Sequence, residues 1–274
     1  MRLFKHIKLK PKLRIIAVIA AMICSVMLLR SVSEGYNDKN CNEIIMIAYQ
    51  GIGTGERQFS AEQIEDDIRT LTNKGYSPIF ASQIKDILDG EADLPDKAVV
   101  MSFDGGCSGY YSKVYPILKK YRFKAVFTVN GKKAEYASNS ADDNISFLRW
   151  DEIKEMDGSG LAEFSNGAYS FDNEESFEQK QNESYEEYRS RIVSDIGQTQ
   201  YLFQLNCCFE PCVFTYPGGK GSDIAASLVK NMGFKAAMKL GNESVIISEN
   251  KKADPYRLKR YERADYDNIT DITG

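Results

Sequence analysis

The chain has 274 residues, with 39 acidic against 35 basic side chains and a single histidine, His6. Everything after it lacks imidazole. A Ser/His/Asp triad, a Cys/His pair and a two-histidine metal site are therefore excluded, and any proton transfer near neutral pH must do without the side chain best suited to it.

The first 14 residues carry Arg2, Lys5, Lys8, Lys10, Lys12 and Arg14 and no acid, and Ile15 to Leu29 is apolar apart from Ser25. A charged region ahead of an apolar core reads as a secretory signal or a signal-anchor. The run is short for a bilayer span of about 20 residues, although Arg14 and Arg30 can snorkel. The expected organisation is a basic cytoplasmic tail over 1–14, a signal peptide or membrane anchor over 15–30 and a polar linker over 31–42. Both readings put residues 31–274 outside the cytoplasm, on the cell surface or secreted, because the basic end stays inside. Without residues 1–30 the chain has 28 basic and 39 acidic side chains, a net charge of −11. That balance disfavours nucleic acid as a partner and suits a neutral or cationic glycan better. Five cysteines lie outside the apolar run, Cys41, Cys107, Cys207, Cys208 and Cys212, with no zinc spacing among them. A bridge from Cys207 or Cys208 to Cys212 and buried free thiols both remain open.

Strand-like and helix-like segments then alternate. Glu43 to Tyr49 (EIIMIAY) reads as a buried strand. Ser60 starts a helix, with Gln63 completing a capping box and Gly75 ending it. Tyr76 to Phe80 is a short strand, and Ser82 caps a helix that closes at Gly90. Lys97 to Phe103 is a strand that runs into the loop Asp104-Gly105-Gly106. Tyr110 to Tyr121 is helical with a kink at Pro116, and Lys124 to Asn130 is a strand. Trp150 to Met156 is helical, and Leu161 to Ser165 a strand. Phe171 to Gln181 reads as a surface loop, followed by one long helix over Ser184 to Leu205. Cys212 to Tyr216 is a strand broken by Pro217-Gly218-Gly219. Asp223 to Met232 is a helix, Phe234 to Lys239 a strand, and a last strand lies within Pro255 to Glu262. Strand-then-helix repetition implies parallel strands covered by helices, and six or seven such units suggest a barrel with its chemistry at the carboxyl ends of the strands.

Three of those ends carry a pattern. Ser102-Phe103-Asp104-Gly105-Gly106, Glu163 through Phe171 (EFSNGAYSF) and Phe214-Thr215-Tyr216-Pro217-Gly218-Gly219 resemble, in order and spacing, the motifs of the polysaccharide deacetylases, carbohydrate esterase family 4. The opening strand Ile44 to Gln50 and the ending Asp254 to Arg260 resemble family strands as well, so the resemblance covers about Glu43 to Tyr261. It implies an α/β fold, a distorted and incomplete (β/α) barrel, over residues 43–266, with 267–274 as a C-terminal tail. It also implies metal-assisted removal of acetyl groups from N-acetylated sugars. The family's metal, usually zinc, is held by an aspartate and two histidines while a preceding aspartate acts as base.

The carry-over of those roles fails at the ligands. The metal-binding aspartate corresponds to Gly105, the two histidines to Gly167 and Phe171, and the opening-strand histidine to Gln50. Only Asp104, the remnant base, is left, and no metal is expected. The glycines and Phe171 are expected to plug or flatten the pocket, and Asp104 to cap its loop through backbone N–H groups. Cys107, Glu163, Asp172 and Asp104 form a second conceivable donor set. Tyr169 and Tyr216, with Pro217 and Gly218 beside them, are the expected sugar-binding residues; Tyr49, Phe103 and Trp150 are further aromatic candidates. The resulting expectation is a pseudoenzyme of carbohydrate metabolism, in the cell wall or an exopolysaccharide, exported or held at the membrane by its N-terminal helix. It would be catalytically disabled and at most bind an N-acetylated glycan. Two alternatives stay open: an active hydrolase of carbon–nitrogen bonds with a non-standard site, and a non-catalytic scaffold that meets a protein partner.

Overall fold

The computed structural model describes residues 43–53, 57–142, 145–173, 177–248 and 251–274. The readings placed on His6, the apolar run, the linker and Cys41 lie outside the described residues.

Seven parallel strands close into a barrel. In chain order they are β1 (Glu43–Tyr49), β3 (Ala98–Phe103), β4 (Ala125–Val129), β5 (Ala162–Asn166), β6 (Val213–Thr215), β7 (Ala236–Leu240) and β10 (Leu258–Glu262). Each pairs with the next, and β10 returns to β1 with Ile47 opposite Tyr261. Three short strands lie outside the ring. β2 (Ser77–Pro78) runs along β3, while β8 (Val245–Ser248) is antiparallel to the start of β1 and to β9 (Lys251–Lys252). The β8–β9 hairpin has no counterpart in the sequence reading.

The helices follow the caps that the sequence supplies. Helix α1 (Ala61–Asn73) has Ser60 as N-cap, and Gln63 closes the capping box. Helix α2 (Ala81–Asp89) begins one residue earlier than its expected cap. Phe80 is the N-cap and Gln83 accepts from its backbone N–H at 2.9 Å, so Ser82 lies inside the first turn. The segment with Pro116 divides into a π-helical turn at Tyr110–Val114 and the helix α3 (Tyr115–Tyr121). Pro116 thus sits in the first turn of α3, where its missing N–H costs nothing. Helix α4 (Gly131–Asn139) is absent from the sequence reading, although Asn130 is its N-cap and accepts from the Lys133 N–H. Helices α5 (Trp150–Gly158), α6 (Tyr185–Cys207) and α7 (Asp223–Asn231) lie where expected. Residues 267–274, expected as a tail, pack on the domain. They form α8 (Thr270–Thr273), bury Ile269 and accept a hydrogen bond from the Tyr76 hydroxyl at Thr273 O.

Side-chain alternation along the strands separates two environments. Outward residues such as Ile47, Met101, Phe127 and Phe164 pack under the helices with Ile68, Leu118, Ile153 and Phe203. Inward residues form an apolar layer at the amino end, with Met46, Val100, Val126, Val213 and Met238 roofed by Ile84 and Ile87 of α2. Toward the carboxyl end the same inward positions become polar: Ser102, Thr128, Ser165, Thr215 and Arg260 are all buried. The change from apolar to polar along one face of each strand is what creates a site at that end.

Candidate functional site

A cleft of about 360 Å³ opens at the carboxyl end of the barrel, and all seven barrel strands contribute to it. Its walls come from Gln50 after β1, Asp104 and Gly105 after β3, Thr128 and Asn130 of the β4 end, and Gly167 after β5. Thr215 to Gly219 after β6, Leu240 of β7 and Glu262 of β10 complete them, with Phe171 and Asp172 at the rim. The three sequence motifs are therefore brought together as expected. So are Pro217 and Gly218.

Asp104 is held by side chains rather than by backbone N–H groups, which corrects the capping role expected of it. Arg260, fully buried, donates from Nη1 to Oδ1 at 2.8 Å and from Nη2 to Oδ2 at 2.9 Å. Thr128 Oγ1 donates to the same Oδ1 at 2.9 Å. An inward-facing arginine with no water around it needs such a partner, and the bidentate fork matches a carboxylate. Arg260 Nη1 also donates to Ser102 Oγ at 3.0 Å. Its Nε is buried without a hydrogen-bond partner among the described residues.

A file of hydroxyls continues from Thr128. Thr215 Oγ1 lies 3.0 Å from Thr128 Oγ1 and 2.6 Å from Ser165 Oγ. A carboxylate only accepts, so the Thr128 proton points to Asp104. Ser165 Oγ also stands 3.2 Å from Val213 O, to which it can donate. With two donors on Oδ1 and one on Oδ2, the carboxylate keeps one accepting position on Oδ2. Its side chain is 15% exposed. The arrangement can accept one hydrogen bond from a hydroxyl or amide N–H lying in the cleft.

The residues present do not fit the family's metal. Gly105 and Gly167 carry no donor atoms and Phe171 only a ring, and both Asp104 oxygens are already engaged. Among the described residues no three His, Cys, Asp or Glu side chains converge as a metal site. The steric picture differs between the two glycines. At Gly105, where φ is +87°, a Cβ would meet nothing within 4 Å. At Gly167 it would stand 2.7 Å from Thr128 Cγ2 and 3.1 Å from Val129 O. Gly167 is thus a close approach of one strand end to its neighbour, and no side chain fits there without a shift in β4.

Several sequence expectations need correction. The pocket is not plugged: Phe171 turns sideways onto Phe177, with ring centroids 5.9 Å apart, and lies under the Arg191 guanidinium. Tyr216 has its ring buried against Phe214 and Phe177, and its hydroxyl donates to Tyr256 O at 2.9 Å. Tyr49 and Phe103 are fully buried and stack on each other. These three rings cannot face a sugar, and the period-two alternation gives the reason. Tyr49, Phe103 and Tyr216 occupy outward positions, whereas Asp104, Thr215 and Pro217 are inward. Tyr169 lines a neighbouring depression instead of the cleft, with its hydroxyl on Glu135 at 2.8 Å. Trp150 is core. Glu163 does not join Asp104, which removes the second donor set. It faces inward four residues before Gly167 on the same strand, about 13 Å away at strand spacing. There it accepts from the Ser82 N–H, and burial pushes its carboxyl up to about 6 against the pull of the Ser82 hydrogen bonds and Lys235. Cys107, Cys207, Cys208 and Cys212 are free thiols, so neither bridge to Cys212 forms.

Thr128, Asn130, Lys133, Arg260 and Glu262 were not singled out from the sequence. For four of them the signal is polarity at the inward parity of a strand end, Thr128 on β4 with Asn130 just after it and Arg260 and Glu262 on β10, while Lys133 lies on α4.

Comparison with known proteins agrees with this architecture. The family model described as polysaccharide deacetylase matches residues 91–237, more than half of the chain. The chain belongs to the polysaccharide deacetylase family. Within it, the poly-β-1,6-N-acetyl-D-glucosamine N-deacetylase of Escherichia coli K12 is 27% identical over 197 residues, covering 62% of this chain and 29% of that protein. The enzyme of the same name from Staphylococcus aureus is 26% identical over 196 residues, covering 70% of this chain and 64% of its own length. The chain thus spans less than a third of the first relative and just under two thirds of the second. A de-N-acetylase structure from Aggregatibacter actinomycetemcomitans superposes with a TM-score of 0.70 at 26% identity, over 84% of this chain and 99% of that one. IcaB from Ammonifex degensii shares the fold at a TM-score of 0.67 and 19% identity, over 81% of this chain and 91% of that one.

Proposed function

We propose that this polysaccharide deacetylase family protein binds an N-acetylated glycan without deacetylating it. The reading is of an exported or membrane-anchored pseudoenzyme acting on cell-wall or exopolysaccharide chains. One observation carries it. Where the family keeps its metal, this chain offers two glycines and a sideways phenylalanine, and the first histidine position has no room for a Cβ. The remaining acid is committed to Arg260 and Thr128, with one accepting position turned to the cleft. A carboxylate so placed orients a hydroxyl or amide; it has no activated water from which to take a proton. The relatives' printed substrate suggests β-1,6-linked N-acetylglucosamine as the glycan.

Metal analysis of the purified full chain, together with an acetate-release assay on β-1,6-linked N-acetylglucosamine oligomers, tests this. The expected result is sub-stoichiometric zinc and background acetate, with measurable oligomer affinity by calorimetry. Stoichiometric zinc with turnover would falsify the proposal.

A further inference from the structure

Beside the cleft lies a second depression of about 310 Å³. It shares Asn130, Lys133 and Asp172 with the cleft, so those three residues form the ridge between the two. Its own walls include Tyr136, Phe147 and Tyr169. Tyr136 is 64% exposed, an unusual position for a large aromatic ring on a helix of this size. It lies one helical turn beyond Lys133 on α4, so both stand on the face that borders the depression. The half-buried Phe147 carries the Lys133 ammonium 5.3 Å from its ring centroid. That contact holds the ridge lysine toward the depression.

The geometry points to a second sugar subsite, a platform for one neutral N-acetylhexosamine ring of a chain whose adjoining unit occupies the cleft. The inference rests on the glycan-binding reading and extends it from a single pocket to a groove. Three features argue for that occupant. The rings of Tyr136 and Tyr169 offer apolar faces, which suit the C–H face of a pyranose, beside the Phe147 ring that carries Lys133. The ridge supplies donors and an acceptor of both charges: the Asn130 amide, the Lys133 ammonium and the Asp172 carboxylate. Asn130 has two amide N–H groups, of which one reaches Phe171 O at 3.4 Å. Lys132 and Lys133 on the walls are matched by Asp172 and by Glu135 behind Tyr169, a balance that favours hydroxyl and acetamido groups over an ionised sugar. Finally, the depression is continuous with the cleft, so a linear chain can cross the ridge without a break.

Calorimetric titration of the full chain with the N-acetylglucosamine monosaccharide and the β-1,6-linked pentamer tests the platform. The wild-type protein is expected to bind the pentamer more tightly. Tyr136→Ala removes an exposed ring that the fold does not need, and its Tm should be unchanged. It is expected to weaken the pentamer by about fivefold to tenfold while leaving the monosaccharide within about twofold. Gln50→Ala, in the cleft alone, is expected to weaken both. If the wild type binds neither sugar, the glycan-binding reading falls and the platform with it. If the wild type binds both but Tyr136→Ala changes neither, or weakens both equally, the platform falls and the cleft reading stands.

Discussion

Arg260 and Arg263 stand three positions apart, and each meets an acid in a bidentate pair, yet the two pairs are completed differently. Arg263 reaches Asp67 of α1 from Nε at 2.8 Å and from Nη2 at 3.2 Å, and both side chains are almost fully buried. Every guanidinium nitrogen of Arg263 is engaged. The Tyr49 hydroxyl donates to Asp67, Nη1 donates to Tyr266 O, and the guanidinium covers the Phe59 ring. Arg260 makes an equally short pair with Asp104, but its Nε is left over and one carboxylate oxygen faces the cleft. The first pair is a closed joint between α1 and the chain end of the barrel. The second is an open one. Each carboxylate receives three donors; what differs is that Asp67 is sealed among buried side chains whereas Asp104 borders the cleft.

Breaking the closed pair should cost most. Asp67→Asn leaves a buried guanidinium uncompensated and is expected to destabilise by about 3–5 kcal/mol in urea unfolding. Asp104→Asn should cost less, about 2–3 kcal/mol, because position 104 borders the cleft and is partly exposed, whereas Asp67 is sealed. Equal losses would show that the cleft does not relieve its pair.

Glu163 sharpens the contrast, being an inward acid with no arginine. Its carboxyl, raised by burial to about 6 from the ordinary 4.5, holds its proton more tightly in the folded state. The associated stability is fully present below about pH 4.5 and lost as pH rises through 6. Glu163→Gln cannot ionise and can still accept from Ser82. It should stabilise by up to about 2 kcal/mol at pH 7.5 and by almost nothing at pH 4. A gain that is independent of pH would overturn this account. Tyr49→Phe, the mildest change, removes one donor from the closed pair and should cost about 1.5 kcal/mol, seen as a lower Tm with Asp67–Arg263 intact.

The barrel was readable because its signals are local. Ser60 with Gln63, Ser184 before α6 and Gly90 after α2 each mark a boundary by a hydrogen bond or a left-handed residue. Helix α4 was missed although Asn130 gives the same kind of mark, because its sequence, GKKAEYASN, has only a narrow apolar face. The site was legible in its losses and less so in its contents. Gly105, Gly167 and Phe171 could be placed by motif, whereas Arg260 could be paired with Asp104 only through the closure of β10 onto β1, some 150 residues apart in sequence. The aromatic candidates failed for a simpler reason. Tyr49, Phe103 and Tyr216 were chosen for their nearness to motif residues, but adjacent residues on a strand face opposite ways.

The packing at Gly167 also bears on how this site could change. The γ-methyl of Thr128 fills the space that any side chain at 167 would need, and the hydroxyl of the same threonine holds Asp104. A side chain at 167 requires Thr128 to shift or to be trimmed, and either change loosens the hydroxyl that holds Asp104. The two positions are therefore coupled through one side chain, and a double-mutant cycle at 128 and 167 is expected to be non-additive.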